Sequence, residues 1–240
     1  MERFFVDPGA IRGSFAAITG EDVAHIARVL RLKAGDEIRI SDGQGVEYRA
    51  RLTELGKQSV HAELFEKYAV RTEPAHAVTL YQGLPKAGKM EVIIQKCVEL
   101  GVTAIVPMVT ERCVVKPDLD FEKKRVRYQR VAYEAAKQSG RGIVPEVKPL
   151  ATLSEFPYAR HGLTLHAYEG EHARTLKEAL RGNTAKDIAM LIGPEGGFTK
   201  EEVERSVACG AQAVTLGSRI LRTETAGMAM LAMTLYELEG

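Results

Sequence analysis

The sequence predicts an α/β protein in two parts: a small β-rich module over residues 1–70, then a parallel sheet covered by helices on both faces over residues 77–240. Three observations carry this reading. Short strand-like runs flank the turn Asp42-Gly43-Gln44-Gly45 in the first part. The polar segment 67–76, with Thr72-Glu73-Pro74 inside it, separates that part from the rest. After it, short apolar runs alternate with stretches of helical spacing, the pattern of a parallel sheet.

The elements follow in order. In the first module a short strand opens at Arg3-Phe4-Phe5, residues 22–30 read as helix, two strands surround the turn at 42–45, and residues 59–65 form another strand. In the second part Val78-Thr79-Leu80-Tyr81 is a strand. Met90, Ile93, Ile94, Cys97 and Val98 then recur on one helical face, and Gly101 ends that helix. Residues 104–109 are a strand, and Tyr128, Val131, Ala132, Ala135 and Ala136 mark the next helix. Residues 163–166 are a strand, and so is the run at 188–192, whose continuous apolar character suits burial on both faces.

The most informative loops follow the last two strands. Gly193-Pro194-Glu195-Gly196-Gly197-Phe198 comes after the strand at 188–192 and precedes a helix for which Thr199 and Glu202 form a capping box. Glycines there let a ligand approach the main chain closely. No lysine follows them as in a phosphate-binding P-loop, and no G-x-G-x-x-G follows a strand, so nucleoside triphosphates and dinucleotides are poor candidates. A tight turn is the plain alternative. The second loop, Leu216-Gly217-Ser218-Arg219-Ile220-Leu221-Arg222-Thr223-Glu224-Thr225-Ala226, leads from a strand at 213–216 into a buried helix over 224–238. Thr223 or Thr225 is expected to cap that helix, and Glu224 to favour its positive end.

These two loops resemble the RsmE family, knotted methyltransferases of the SPOUT superfamily that modify N3 of a uridine in small-subunit ribosomal RNA. The resemblance runs the length of the chain. It includes Arg3-Phe4-Phe5-Val6, His25, Val29-Leu30-Arg31, Gly35-Asp36, Asp42-Gly43-x-Gly45, Lys96, Glu99-Leu100-Gly101-Val102 and Gln138-Ser139-Gly140-Arg141. Cys113 departs from it, since the family more often has serine in that segment, which puts serine-like hydrogen bonding there in question.

The resemblance implies a PUA-like β-barrel over 1–70, a SPOUT domain with a C-terminal trefoil knot over 77–240, S-adenosylmethionine as methyl donor, a homodimer, and no metal. It places the donor among three loops, giving Leu165, His166, Gly193, Pro194, Glu195, Gly196, Gly197, Leu216, Gly217, Ile220, Leu221, Arg222 and Thr225 as binding residues. For chemistry, Arg222 is the candidate to stabilise charge on a uracil carbonyl, because a guanidinium stays cationic and donates in a fixed plane. Glu224 is expected either to accept the N3 proton or to orient Arg222. Three other readings stay open: methylation of a ribose 2′-hydroxyl or another base, a silent RNA-binding protein, and a nucleotide-dependent enzyme acting on small molecules.

Charge bears on the RNA. The chain has 33 basic and 32 acidic residues, yet residues 84–141 hold 12 Lys and Arg against 7 Asp and Glu, so the middle is basic. Arg3, Arg31, Lys86, Lys89 and Arg141 are candidate phosphate contacts. The run at 123–130 reads rather as a solvated helix face. Phe4, Phe5 and Phe198 are candidate stacking platforms, the first two alternatively core residues, and His25 and His166 read as packing histidines. With 45% hydrophobic and 27% charged residues the composition is that of a soluble globular protein. No apolar stretch is long enough to cross a bilayer, and the opening residues do not lead into a secretory signal, so a cytoplasmic setting is expected. Three cysteines with no C-x-x-C pair indicate neither a disulfide framework nor zinc, and Cys97 reads as packing.

Overall fold

A computed structural model describes residues 1–86, 88–115 and 121–239, which divide into two compact units. The first contains Met1–Glu73 together with Ala136–Val144, and the second Pro74–Ala135 with Pro145–Gly240. The first unit's long segment ends at Glu73. The return of residues 136–144 to it has no counterpart in hydrophobic periodicity.

The first unit is built on a six-stranded sheet of β1 (Arg3–Phe5), β2 (Ile11–Arg12), β3 (Phe15–Thr19), β4 (Glu37–Ser41), β5 (Val46–Leu55) and β6 (Ser59–Ala69), in the order β1-β4-β5-β6-β3-β2. Only β1 and β4 pair in parallel. Alternation places Ile38 and Ile40, Ala50 and Leu52, and Val60, Ala62 and Leu64 in one buried cluster with Phe4 and Ile18. The helical stretch expected at 22–30 is a single turn, α1 (Glu21–Ala24), continued as a π-helix over His25–Val29. Its Val23 and Ile26 cover the same core. The tight turn after β4 uses Gly43 and Gly45, both at positive φ, while Asp42 accepts the main-chain N–H groups of Gln44 and Val46.

The second unit has the predicted parallel sheet. Its strands are β7 (Ala77–Gly83), β8 (Ala104–Val109), β9 (Glu146–Val147), β10 (Ala151–Thr152), β11 (Leu163–Ala167), β12 (Asp187–Ile192) and β13 (Gln212–Val214). The order is β10-β8-β7-β12-β11-β13, with β9 also on β8, and every pairing is parallel. Helices α2 (Lys89–Glu99), α3 (Phe121–Ser139), α4 (Leu176–Leu180), α5 (Lys200–Ala208) and α6 (Thr223–Glu239) accompany it, and the last residues of α3 belong to the first unit. Helix α2 buries Met90, Ile93, Ile94, Cys97 and Val98, and Gly101 follows its end at φ 103. Central β12 is buried from Ile188 to Ile192. Among the described residues, no helix is long and apolar enough to cross a membrane, and no group of three or more His, Cys, Asp or Glu side chains is arranged to hold a metal ion.

Candidate functional site

Because the strands are parallel, the carboxyl ends of β7, β12, β11 and β13 lie on one edge of the sheet, where open α/β folds bind ligands. Both glycine-bearing loops leave from that edge. Together with residues 167–169 after β11 they enclose a cavity of about 640 Å³ lined by residues from 167–169, 192–198 and 215–223 and by Lys89, His172 and Ala226. All of these belong to the second unit.

The first loop keeps its shape through close backbone packing. Gly197 N–H donates to the Pro194 carbonyl (3.0 Å), and Gly197 stands at φ 66. A Cβ on Gly193 would come within 3.0 Å of Gly197, and one on Gly83, the last residue of β7, within 2.6 Å of Pro194. Thr199 then caps α5: its hydroxyl accepts the Glu202 N–H (3.2 Å) and the Glu202 carboxylate accepts the Thr199 N–H (2.9 Å), as the sequence predicts. Buried Glu202 also accepts the Glu111 N–H (2.9 Å), so the capping box ties the segment after β8 to α5.

The two loops are joined by a hydroxyl. Thr223 Oγ1 donates to the Gly193 carbonyl (2.6 Å) and accepts from Nε2 of fully buried Gln82 (2.9 Å). This corrects the expectation that Thr223 caps α6, since the helix begins at Thr223 and the hydroxyl reaches across to the other loop. The Arg222 carbonyl accepts the Thr225 and Ala226 N–H groups, so Arg222 occupies the position before the helix, on the lining of the cavity.

Charged groups gather on one wall. Lys89 Nζ lies 3.0 Å from Glu195 Oε1 and 3.2 Å from Glu224 Oε2, bridging the first loop to the start of α6. Those two carboxylates hold the Lys89 ammonium pKa above its usual value. Burial acts to raise the Glu195 pKa, but Lys89 and the backbone N–H groups of Glu195 and Lys86 outweigh it and leave the carboxyl below the usual range. Glu224 is also lowered, first by its own backbone N–H and then by Lys89, against the opposing effect of burial. Both carboxylates are therefore ionised at neutral pH.

The predicted residues fall into groups. Gly193, Pro194, Glu195, Gly196, Gly197, Leu216, Gly217, Ile220, Leu221 and Arg222 come together on the cavity, and Glu224 reaches it through Lys89. Leu165 and His166 do not. Both are fully buried within β11, and that segment meets the cavity through Ala167, Tyr168 and Glu169 instead. His166 packs edge-on against Phe198 (4.1 Å between ring centroids), whose own side chain is buried in the core and so does not serve as a stacking platform. Thr225 is exposed on α6 and off the lining.

Three candidate phosphate contacts are engaged elsewhere. Buried Arg3 donates to Glu47 (2.6 Å) and to the carbonyls of Gly140 (2.8 Å) and Ala136 (3.1 Å), satisfying the end of α3. Arg141, also buried, is held by Glu73. Lys89 serves the two carboxylates. Lys86 is exposed and its N–H donates to Glu195, while exposed Arg31 takes a left-handed backbone at φ 55. Phe4 and Phe5 are core, not stacking platforms. At the departure from the family pattern, the Cys113 sulfur accepts the Thr110 N–H at 3.4 Å.

Gln82 and Glu169 were not anticipated. Glutamine ending an apolar strand gives a faint signal, but nothing in the residues around Glu169 distinguishes it from a surface acid.

Comparison with known proteins agrees with this architecture. The RNA methyltransferase domain profile matches residues 71–235, and the RNA methyltransferase PUA domain profile matches residues 18–65. A Bacillus subtilis protein named ribosomal RNA small subunit methyltransferase E is 36% identical over 100% of this chain and 98% of its own. A Synechocystis protein of the same name is 37% identical over 96% of this chain and 76% of its own. The crystal structure of a ribosomal RNA small subunit methyltransferase E from Neisseria gonorrhoeae, bound to S-adenosyl methionine, superposes with a TM-score of 0.85 at 34% identity, covering 98% of this chain and 97% of that one. Profile matches, near full-length relatives and shared architecture together establish that the chain belongs to the ribosomal RNA small subunit methyltransferase E family.

Proposed function

We propose that the chain transfers a methyl group from S-adenosylmethionine to N3 of a uridine in small-subunit ribosomal RNA. The observation that carries this reading is the single cavity formed by the two glycine-bearing loops at the sheet's carboxyl edge. Its volume suits a cofactor-sized ligand. Gly196 and Gly197 keep that wall thin: a Cβ at Gly196 would meet Arg112 at 3.0 Å, and one at Gly197 would meet Glu169 at 2.5 Å. Leu216, Ile220 and Leu221 offer apolar contacts for an adenine ring, and loop N–H and C=O groups can read its edge.

S-adenosylmethionine would supply a methyl group on a positively charged sulfur. The protein's task is to make uracil N3 a nucleophile and hold it in line. Arg222 sits at the mouth of α6 on the lining, where its guanidinium can donate to a uracil carbonyl and stabilise the charge left when the N3 proton departs. Glu224 is ion-paired with Lys89 and its carboxyl is held below the usual range, first by its own backbone N–H and then by Lys89, so its part is to hold the Lys89 ammonium at the opening. Lys89 in turn keeps Glu195 and Glu224 from repelling each other across the opening.

The same proposal includes a cytoplasmic homodimer with a trefoil-knotted C-terminal segment. Helix α6 supports the dimer: one side packs on α2, α4, β7 and β12, while Met233 and Tyr236 stay exposed on the other.

Small ribosomal subunits or their RNA, incubated with the protein and labelled donor and digested to nucleosides, should yield labelled 3-methyluridine. Label on a ribose hydroxyl or on another base would replace the substrate assignment. No transfer at all would remove it. Arg222→Ala should lower turnover by about a hundredfold or more while donor binding stays near that of wild type.

A further inference from the structure

We infer that Glu169 is the ribose-binding residue of the cavity, its carboxylate accepting both hydroxyls of an adenosine cis-diol; this rests on the donor-binding reading above. Glu169 follows β11, is exposed, and lines the cavity. Among the described residues its carboxylate has no hydrogen-bond or ion-pair partner, unlike Glu195 and Glu224. It is nonetheless placed with care. A Cβ on Gly197 would fall 2.5 Å from Glu169 Oε1 and 3.0 Å from Oε2, so the carboxylate lies across the loop just where glycine leaves room. Any side chain at 197 would push it away.

The order of strands says which part of an adenosyl ligand it meets. Along the carboxyl edge the sequence of elements is β7, β12, β11, β13. The apolar residues suited to adenine, Leu216 among them, follow β13, while the charged wall is made by Lys89 and Glu195 on the β7 and β12 side and by Arg222 just before α6, where Thr223 is tied to Gly193. Glu169, between them and next to the adenine end, faces the group attached directly to the base. That group is a ribose, whose two hydroxyls are donors matched to two carboxylate oxygens. The amino-acid end, with its ammonium, falls on the far side.

Titration calorimetry of the full chain separates these possibilities with two probes: S-adenosylmethionine and 5′-methylthioadenosine, which keeps the adenosine but lacks the amino-acid end. Glu169→Ala should weaken both by the same factor, about tenfold to a hundredfold. Glu169→Gln, which keeps the shape against Gly197 and one acceptor oxygen, should give a smaller loss that is again equal for both. Loss for S-adenosylmethionine alone would assign Glu169 to the ammonium and overturn the inference. Wild-type affinity in both variants would do the same while leaving the donor site intact. Failure of the wild-type chain to bind either probe would instead remove the donor-binding reading itself.

Discussion

Replacing His166 by leucine should abolish one defined part of the chain's acid sensitivity. His166 is fully buried in β11, its ring 4.1 Å from that of Phe198, and neither ring nitrogen has a partner among the described residues. Burial alone pushes its pKa down from 6.5 to about 4. A protonated ring has nowhere to place its charge. The folded state therefore holds a neutral imidazole until well below the pH at which the unfolded chain takes up a proton. The corresponding stability is present above pH 6.5 and is lost as pH falls towards 4, because the unfolded state binds the extra proton over that interval. The gap between the two pKa values amounts to about 3 kcal/mol at about 1.4 kcal/mol per unit, of which about 2 kcal/mol is already lost at pH 5. Urea unfolding at pH 7.5, 6, 5 and 4.5, for wild type and His166→Leu, isolates the effect from other titrating groups. The two stabilities should diverge steadily below pH 6.5 in favour of the variant. Parallel curves would refute the argument and show that the buried imidazole titrates normally.

Other outcomes follow from the same structure. Exposed Cys209 should react with a thiol reagent within minutes, whereas buried Cys97, whose thiol pKa is pushed up to about 12, should react only on unfolding; equal rates in the native protein would contradict its packing role. Thr223→Val should lower donor affinity about tenfold in calorimetry, because the Gly193 carbonyl loses its Thr223 donor, the Gln82 amide keeps only the Gly83 carbonyl, and the two loops are no longer tied; Thr223→Ser should restore it. Glu202→Leu should lower unfolding stability by about 2–3 kcal/mol, since the Thr199 and Glu111 N–H groups are left without their acceptor; a change below 1 kcal/mol would mean that the box does not hold the loop.

Much of this architecture is legible in the residues because single elements satisfy strong local rules. The apolar run at 188–192 fills a strand buried on both faces, Thr199 and Glu202 announce the helix after it, and Gly101 stands where α2 must stop. Less legible are features set by distant partners. Arg3 reads as a free cation beside a strand, yet its guanidinium is consumed by Glu47 and by carbonyls more than a hundred residues away. Lys89 and Arg141 read as candidate phosphate contacts for the same reason: their acids, at 195, 224 and 73, are neighbours only after folding. The alternation around His166 shows a strand but not which of its residues ends at the cavity rather than behind it. Thr223 has the residue type of a helix cap, and only the fold shows its hydroxyl reaching Gly193. The resemblance to a known family supplied the donor and the substrate, which no periodicity contains.

On this reading the two glycine-bearing loops enclose one site for an adenosyl methyl donor. Titration of the wild-type chain with S-adenosylmethionine, and separately with ATP and NAD, tests it most directly. Saturable binding of S-adenosylmethionine at one per chain, abolished by Gly196→Val and absent for the other two nucleotides, is the predicted result. Equal affinity in the Gly196→Val variant, or preferential binding of ATP or NAD, would contradict it.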